Sequence, residues 1–207
     1  MKRRRRWGLS LAVLGLVLVP ALAPATIEEQ RARLPPPAPP GTCQNPIEGV
    51  WRSLRWYPGN QAWYSFVLEI RQRGTTLEGR IEAFSWDTPP NRPEPGPCRA
   101  GLEHFSVVQP ARGTVEGLRI DFAATAWSVG TVFCGSRPWG YNLDHFRGVI
   151  DTRLQEFQSV NNDGGLQIDE PTVFRRVRCF EPEAVPHPYV TPPAFHPRAR
   201  RRFGCGR

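Results

Sequence analysis

A two-residue alternation of apolar and charged side chains constrains the fold of this chain more than any other feature. In the segment 66–71 the apolar residues Phe66, Leu68 and Ile70 alternate with other residues, and the segment 77–83 repeats the alternation after a short turn that contains glycine. Because successive side chains of a β-strand point to opposite faces, the two segments are predicted to form a β-hairpin with one buried face.

A similar sequence pattern recurs twice further along the chain. Each copy has an apolar residue, a charged residue, a glycine and then an isoleucine followed by an acid, and the glycines are Gly79, Gly117 and Gly148. A glycine inside a strand often marks a bulge or a sharp bend. At Gly117 the apolar pattern also slips by one residue, which predicts a bulge at that position.

These patterns predict an all-β fold. No stretch has a helical period, and short strands joined by turns favour a single antiparallel up-and-down barrel of about eight strands, with a β-sandwich as the alternative. The predicted strands cover residues 48–57, 62–72, 75–86, 103–110, 112–128, 141–151, 153–161 and 171–180.

Composition divides the chain into four parts. Residues 1–25 have a charged leader and an apolar stretch over 9–19, and they are expected to be a secretory signal peptide. Residues 26–42 are predicted to be a disordered proline-rich linker, 43–180 the β-barrel domain, and 181–207 a disordered tail rich in Pro and Arg. The protein is therefore expected to be exported, either periplasmic or secreted, with no transmembrane segment in its mature form.

The net charge of +8 does not indicate nucleic-acid binding. The predicted domain 43–180 contains 15 Arg and 15 Asp or Glu residues, so the excess positive charge lies at the two ends of the chain. We therefore expect no nucleic-acid partner, and we expect the basic tail to be a contact element for a partner in the cell envelope. All but one of the 27 Lys and Arg residues are Arg, which is typical of a bacterium with a GC-rich genome.

Four cysteines frame the predicted domain. Cys43 and Cys179 stand at its two ends, and Cys98 and Cys134 lie inside it. Four cysteines in an exported domain favour disulfide bonds, and no CxxC motif or clustered His accompanies them to indicate a metal site. We expect the pairs Cys43–Cys179 and Cys98–Cys134, because joining the first and last strands closes the fold. Cys205 is left over and is expected to be free or to form an intermolecular disulfide.

The tripeptide Gly49-Val50-Trp51 in the first predicted strand, together with Arg175 or Arg176 in the last, resembles the calycin group of lipocalins and avidins. The resemblance is architectural and extends over the predicted domain. It implies a closed barrel with a ligand site, in which the Trp of the motif packs near the barrel floor beneath an Arg from the final strand.

Five residues are predicted to bind a ligand, namely Trp51, Trp63, Asn142, Asp144 and Arg175. Tryptophans at a barrel mouth would hold an apolar or aromatic ligand, although large rings also serve as core filler. Asn142 and Asp144 share the apolar face of their strand, and Arg175 shares an apolar face of the last strand. Because a buried charge needs a partner, a contact between Asp144 and Arg175 is expected, either as a structural pair or as a ligand anchor.

The segment 159–170 matches part of the spacing of a calcium-binding loop. Asn161, Asp163 and Glu170 occupy positions that supply oxygen ligands in such loops, which makes them the metal-site candidates. Ser159 stands where an Asp is expected, however, and a hairpin turn rich in Asn, Asp and Gly is the alternative interpretation. Calcium is the only cofactor that the sequence suggests.

The sequence contains no motif of a known catalytic site, and no catalytic residue is predicted. The first hypothesis is a non-catalytic, exported β-barrel that binds a small, largely apolar ligand. The alternative is an envelope interaction or scaffold module that contacts another macromolecule through the proline-rich loop 87–98 and the basic tail. An enzyme of unknown class is the third hypothesis.

Overall fold

The structure, a computed structural model, describes residues 26–39 and 41–180; the predicted signal peptide 1–25 and tail 181–207 lie outside the described residues. The described chain forms one helix and ten strands. They are α1 Ile27–Arg33, β1 Gly49–Arg52, β2 Arg55–Tyr57, β3 Ala62–Arg73, β4 Thr76–Trp86, β5 His104–Glu116, β6 Arg119–Ala124, β7 Ser128–Cys134, β8 His145–Asp151, β9 Glu156–Asn161 and β10 Glu170–Arg178.

Eight of the strands close into an antiparallel barrel. Their order is β1-β10-β9-β8-β6-β5-β4-β3, and β3 pairs with β1 to complete the ring. Two further strands lie off this ring, since β2 pairs with β3 and β7 pairs with β5. The predicted antiparallel barrel is confirmed, and the sandwich alternative is excluded.

The bulge predicted at Gly117 is wrong. Glu116 and Arg119 are paired residues of β5 and β6, and Gly117 has a φ of +59° in the two-residue turn between them. The slip in the apolar pattern therefore marks the end of one strand and the start of the next. By contrast, Gly79 and Gly148 lie inside strands where the neighbouring backbone leaves no room for a Cβ atom.

Phenylalanine rings fill the barrel interior from its middle towards the end at which β1 begins and β10 ends. Phe66, Phe146, Phe157 and Phe174 are fully or almost fully buried, and the ring centroids of Phe146 and Phe174 are 4.9 Å apart. The centroids of Phe66 and Phe146 are 5.1 Å apart in an edge-to-face arrangement, which is a favourable geometry for aromatic pairs. This part of the barrel is a packed core.

The floor of the barrel is the end at which β1 begins and β10 ends. There the guanidinium of Arg176 lies 5.2 Å from the ring centroid of Trp51 and donates a hydrogen bond of 2.8 Å to the Asn45 carbonyl. The indole of Trp51 donates to the Ile47 carbonyl at 3.0 Å. A Trp beneath an Arg of the final strand was expected from the calycin resemblance, and Arg176 is the residue that makes the contact.

The segment 26–39 is ordered, contrary to the prediction of a disordered linker. Thr26 and Glu29 form a capping box at the start of α1. Gln30 is 1% exposed and bonds the backbone of β10, since its amide donates to the Pro171 carbonyl at 2.9 Å and accepts from the Val173 N–H at 3.0 Å. Polar side chains attach this helix to the barrel, so a search for apolar periodicity could not detect it.

The structure contains both predicted disulfide bonds, Cys43–Cys179 and Cys98–Cys134. The first joins the residues that precede β1 and follow β10, and the second joins the loop after β4 to the end of β7. Disulfides of this kind persist in oxidising compartments. Within the described ranges, no helix is long and apolar enough to cross a membrane.

Candidate functional site

A cavity of about 490 Å³ lies at the mouth of the barrel, the end opposite the floor. It is bordered by the starts of β3 and β5, the end of β4, the loop before β8 and the loop between β9 and β10. Three aromatic side chains line it, Tyr64, Phe105 and Tyr141. The packed phenylalanines below leave the mouth as the place where the barrel holds open space.

Polar side chains make up much of the remaining lining. Asn60 donates a hydrogen bond of 2.7 Å to the hydroxyl of Tyr64, and Asn142 and Gln167 supply two further amides. Three acidic residues also line the cavity, namely Asp87, Glu103 and Asp163. The lining is therefore more polar than a site for a largely apolar ligand would require.

Asp144 lies beneath the cavity as the centre of a buried network. It is 2% exposed, and its Oδ2 accepts hydrogen bonds from Gln109 at 2.6 Å and from the Tyr141 hydroxyl at 3.0 Å. Its Oδ1 accepts a hydrogen bond of 2.8 Å from the amide of Asn161. The backbone N–H of Asp144 donates to Gln109 at 3.1 Å. Residues from β5, β9 and the loop before β8 are thus joined through one carboxylate.

The network continues to the only strongly buried cation near the mouth among the described residues. The Asn161 amide also donates to Oε1 of Gln167 at 2.8 Å, and Arg55 donates to the same oxygen. Arg55 is 2% exposed and forms an ion pair with Glu170 at 3.5 Å. Arg55 is therefore paired directly with Glu170 and is linked to Asp144 through the side-chain amides of Gln167 and Asn161.

Burial changes the acidity of the central groups. Loss of hydration raises the pKa of Asp144 to about 6, although the hydrogen bonds from Gln109, Asn161 and Tyr141 oppose this shift. Burial, with the charge of Asp144, also raises the pKa of Tyr141 well above its usual value. The Tyr141 hydroxyl therefore keeps its proton at neutral pH and donates a hydrogen bond to Asp144.

The structure separates the five residues that were predicted to bind a ligand. Asn142 lines the cavity, and Asp144 lies beneath it. Trp51 is at the floor, far along the barrel from the mouth. Trp63 alternates with the cavity-lining residues Ala62 and Tyr64, so it faces the outside of the barrel, where it is covered by Trp56 and by the guanidinium of Arg33.

The expected contact between Asp144 and Arg175 is not formed. Arg175 pairs with Glu156 at 2.7 Å on the outer face of the barrel, and Arg31 of α1 bonds the same carboxylate at 2.9 Å. The inward residues of β10 are those on the face of Phe174, which belongs to the core. The outer face of β10, which carries Val173 and Arg175, is buried because α1 covers it from outside. Both faces of β10 therefore resemble a buried face in the sequence.

The metal candidates are not brought together as a ligand set. The Asn161 amide bonds Asp144 and Gln167, and Oδ1 of Asp163 accepts from the backbone N–H groups of Gly165 and Gln167 in a local turn. Glu170 pairs with Arg55. In residues 26–39 and 41–180 no group of three or more His, Cys, Asp or Glu side chains is arranged to hold a metal ion.

Four members of the network were missed by the sequence analysis, namely Arg55, Gln109, Tyr141 and Gln167. Gln109 carried a usable signal, because it lies two residues from each of the apolar residues Val107 and Ala111 and so shares their inward face. Tyr141 and Gln167 lie in loops outside the strands, where strand alternation gives no information.

No protein-family model matches this sequence, and no curated protein or solved structure matches it significantly.

Proposed function

We propose that this protein is an exported β-barrel that binds a small ligand in the cavity at its mouth. The observation that carries the proposal is the cavity itself, about 490 Å³ of space above a packed core and a fully hydrogen-bonded Asp144. Its volume is within the range of about 300–1,000 Å³ that is typical of small-molecule sites.

The construction of the mouth supports a binding role. Tyr141 is fixed from below by its hydrogen bond to Asp144, and Tyr64 is fixed by Asn60. Side chains that are held in place before a ligand arrives lose little conformational entropy on binding. Their rings, with that of Phe105, offer contact area to the apolar part of a ligand, while the amides of the lining select its polar part.

Export is the second part of the proposal. The pairs Cys43–Cys179 and Cys98–Cys134 support it, because such bonds persist outside the reducing cytoplasm. A mouth that faces an extracellular or periplasmic solution would sample ligands there.

A cavity-filling variant tests the binding site. Gly140 lines the cavity, and a Cβ atom at this position meets no atom within 4 Å, so Gly140→Phe should occupy the cavity without distorting the backbone. Gly96→Phe is the matched control, since a Cβ there meets only Thr88 at 3.9 Å and Gly96 does not line the cavity.

The readout is ligand-observed NMR with a library of small fragments, preceded by native mass spectrometry of protein purified from its own host. We expect fragments that bind the wild type to bind Gly96→Phe equally and to lose binding to Gly140→Phe. Fragment binding that persists in Gly140→Phe, or a wild type that binds no fragment, would contradict the proposal.

An envelope interaction module is the second candidate. The loops that border the cavity carry exposed apolar side chains, with Trp139 98%, Leu166 58% and Ile168 56% exposed. Exposed apolar patches often mark contacts with another macromolecule. A Trp139→Ser variant separates the two candidates, because it should weaken a macromolecular contact and leave fragment binding in the cavity unchanged.

A further inference from the structure

The cavity at the mouth carries an excess of negative charge. Asp87, Glu103 and Asp163 line it, and none of the three forms an ion pair with a described Arg or His residue. Of the residues that the structure describes, no Arg, Lys or His lines the cavity. A small site with carboxylates and no cation attracts positively charged ligands and repels anions.

The aromatic residues of the same cavity add to this preference. Tyr64, Phe105 and Tyr141 line it together with the carboxylates. The face of an aromatic ring attracts a cation within about 6 Å of its centre by roughly 0.5–2 kcal/mol, and the attraction increases as the cation loses water. Rings and carboxylates in one cavity are the combination that suits an organic ammonium group.

The buried network beneath the cavity does not cancel this charge. Asp144 receives hydrogen bonds from the neutral groups of Gln109, Tyr141 and Asn161. Arg55 is linked to it only through Gln167 and Asn161, and is paired with Glu170.

An organic cation fits the spacing of the carboxylates better than a metal ion. Asp87 and Glu103 lie opposite each other where β4 ends and β5 begins, with the backbone N–H of Glu103 donating to Oδ2 of Asp87 at 3.4 Å, whereas Asp163 lies in the loop between β9 and β10. They do not form a group that could share one metal ion. A ligand of several atoms can contact carboxylates and rings on different sides of the cavity.

We propose that the ligand of this cavity is a small organic cation, an amine or quaternary ammonium compound with an apolar or aromatic body. This inference rests on the proposed function and names the class of its ligand. The apolar body lies against Tyr64, Phe105 and Tyr141, and the cationic group lies towards Asp87 and Glu103.

Three probes of similar shape and different charge test the ligand class. They are 2-phenylethylammonium, 2-phenylethanol and phenylacetate, each titrated into the full chain by calorimetry at neutral pH and low salt. We expect the cation to bind at least about tenfold more tightly than the alcohol, and phenylacetate to bind most weakly. Added salt should weaken the binding of the cation and leave that of the alcohol unchanged.

Two variants at opposite ends of β5 localise the effect. Glu103 stands directly before β5 at the mouth, and Glu116 is the last residue of β5 at the floor. Glu103→Gln should weaken binding of the cation about three- to tenfold without changing that of the alcohol, and Glu116→Gln should change neither. Asp163 is kept intact because its carboxylate also holds the local turn.

The outcomes separate this inference from the function on which it rests. Equal affinity for the cation and the alcohol, or a cation affinity that Glu103→Gln leaves unchanged, overturns the ligand class. The proposed binding function is still supported in that case if Gly140→Phe abolishes the binding of fragments to the cavity. If none of the probes binds although other fragments do, the ligand class is again wrong. If nothing binds the cavity, both proposals fail.

Discussion

The side chain of Gln109 bonds Asp144 twice, through an amide that donates to Oδ2 at 2.6 Å and a carbonyl that accepts from the Asp144 backbone N–H at 3.1 Å. This reciprocal pair fixes the position of the loop before β8 against β5. Because Asp144 also bonds Tyr141, the pair positions one of the rings that line the cavity. The buried acid therefore supports the shape of the mouth, and its energetics can be measured.

Titration of Asp144 should make stability rise as the solution becomes acidic. Its pKa of about 6 in the folded state exceeds the usual 3.8, so between these values the folded protein binds the proton more tightly than the unfolded chain does. Relative to Asp144→Asn, the free energy of unfolding of the wild type should increase by on the order of 2–3 kcal/mol from about pH 7 to about pH 4. Urea denaturation over this range measures the difference, and a difference that does not vary with pH contradicts the prediction.

Replacement of Arg176 should weaken the floor of the barrel. Arg176→Lys removes the planar group that lies over Trp51 and the fork that bonds the Asn45 carbonyl and Gln155. We expect a loss of about 1–2 kcal/mol in the free energy of unfolding. The control is Arg178→Lys, on the same strand but exposed, which should change the unfolding midpoint little. Equal effects of the two variants would show that the floor contact is unimportant.

The carboxylate of Glu156 should be a main attachment point of the N-terminal helix. It is 0% exposed and receives bonds from Arg31 and Arg175, so Glu156→Ala leaves two guanidinium groups without their partner. We expect a loss of about 3 kcal/mol in unfolding free energy. Arg31→Ala should cost less, because Arg175 still pairs with the carboxylate. Faster proteolysis between α1 and β1 in the Glu156 variant, compared with Glu116→Ala, would show that the helix detaches.

The two disulfides should stabilise the fold unequally. Cys43 and Cys179 are separated by 136 residues, and Cys98 and Cys134 by 36 residues. In the chain-entropy model the disulfide that closes the longer loop adds about 5 kcal/mol to the free energy of unfolding, and the one that closes the shorter loop adds about 4 kcal/mol. Replacing each pair by alanines should therefore lower the denaturation midpoint more for the longer loop. The reverse order would mean that strain or residual structure in the unfolded chain outweighs loop length.

Much of the barrel was predictable because strand alternation is a local signal. The hairpin around Gly74 and the strand faces containing Phe66 and Phe146 followed from spacing along the chain, and both cysteine pairs followed from the expectation that a disulfide joins the first and last strands. The faces of β10 were not predictable in this way, because α1 buries Val173 from outside and removes the contrast between the two sides.

The site was predictable only where a polar residue interrupts an apolar face. Asp144 satisfied that condition and was found, and Gln109 satisfied it and was overlooked. The cavity itself depends on loops that meet only in three dimensions, since five strands separate Asp163 along the chain from Asp87 and Glu103. That these three carboxylates line one cavity could not be inferred from the sequence, because their proximity depends on the closed barrel.

The disulfide between Cys43 and Cys179 also determines how the protein can be handled. It places Phe180, the last described residue, beside the floor and a full barrel length from the cavity. A protein immobilised or fused through residues that follow Phe180 would therefore present its mouth to the solution. Surface-based binding measurements on such a fusion would leave the approach to Tyr141 and Glu103 unobstructed by the support.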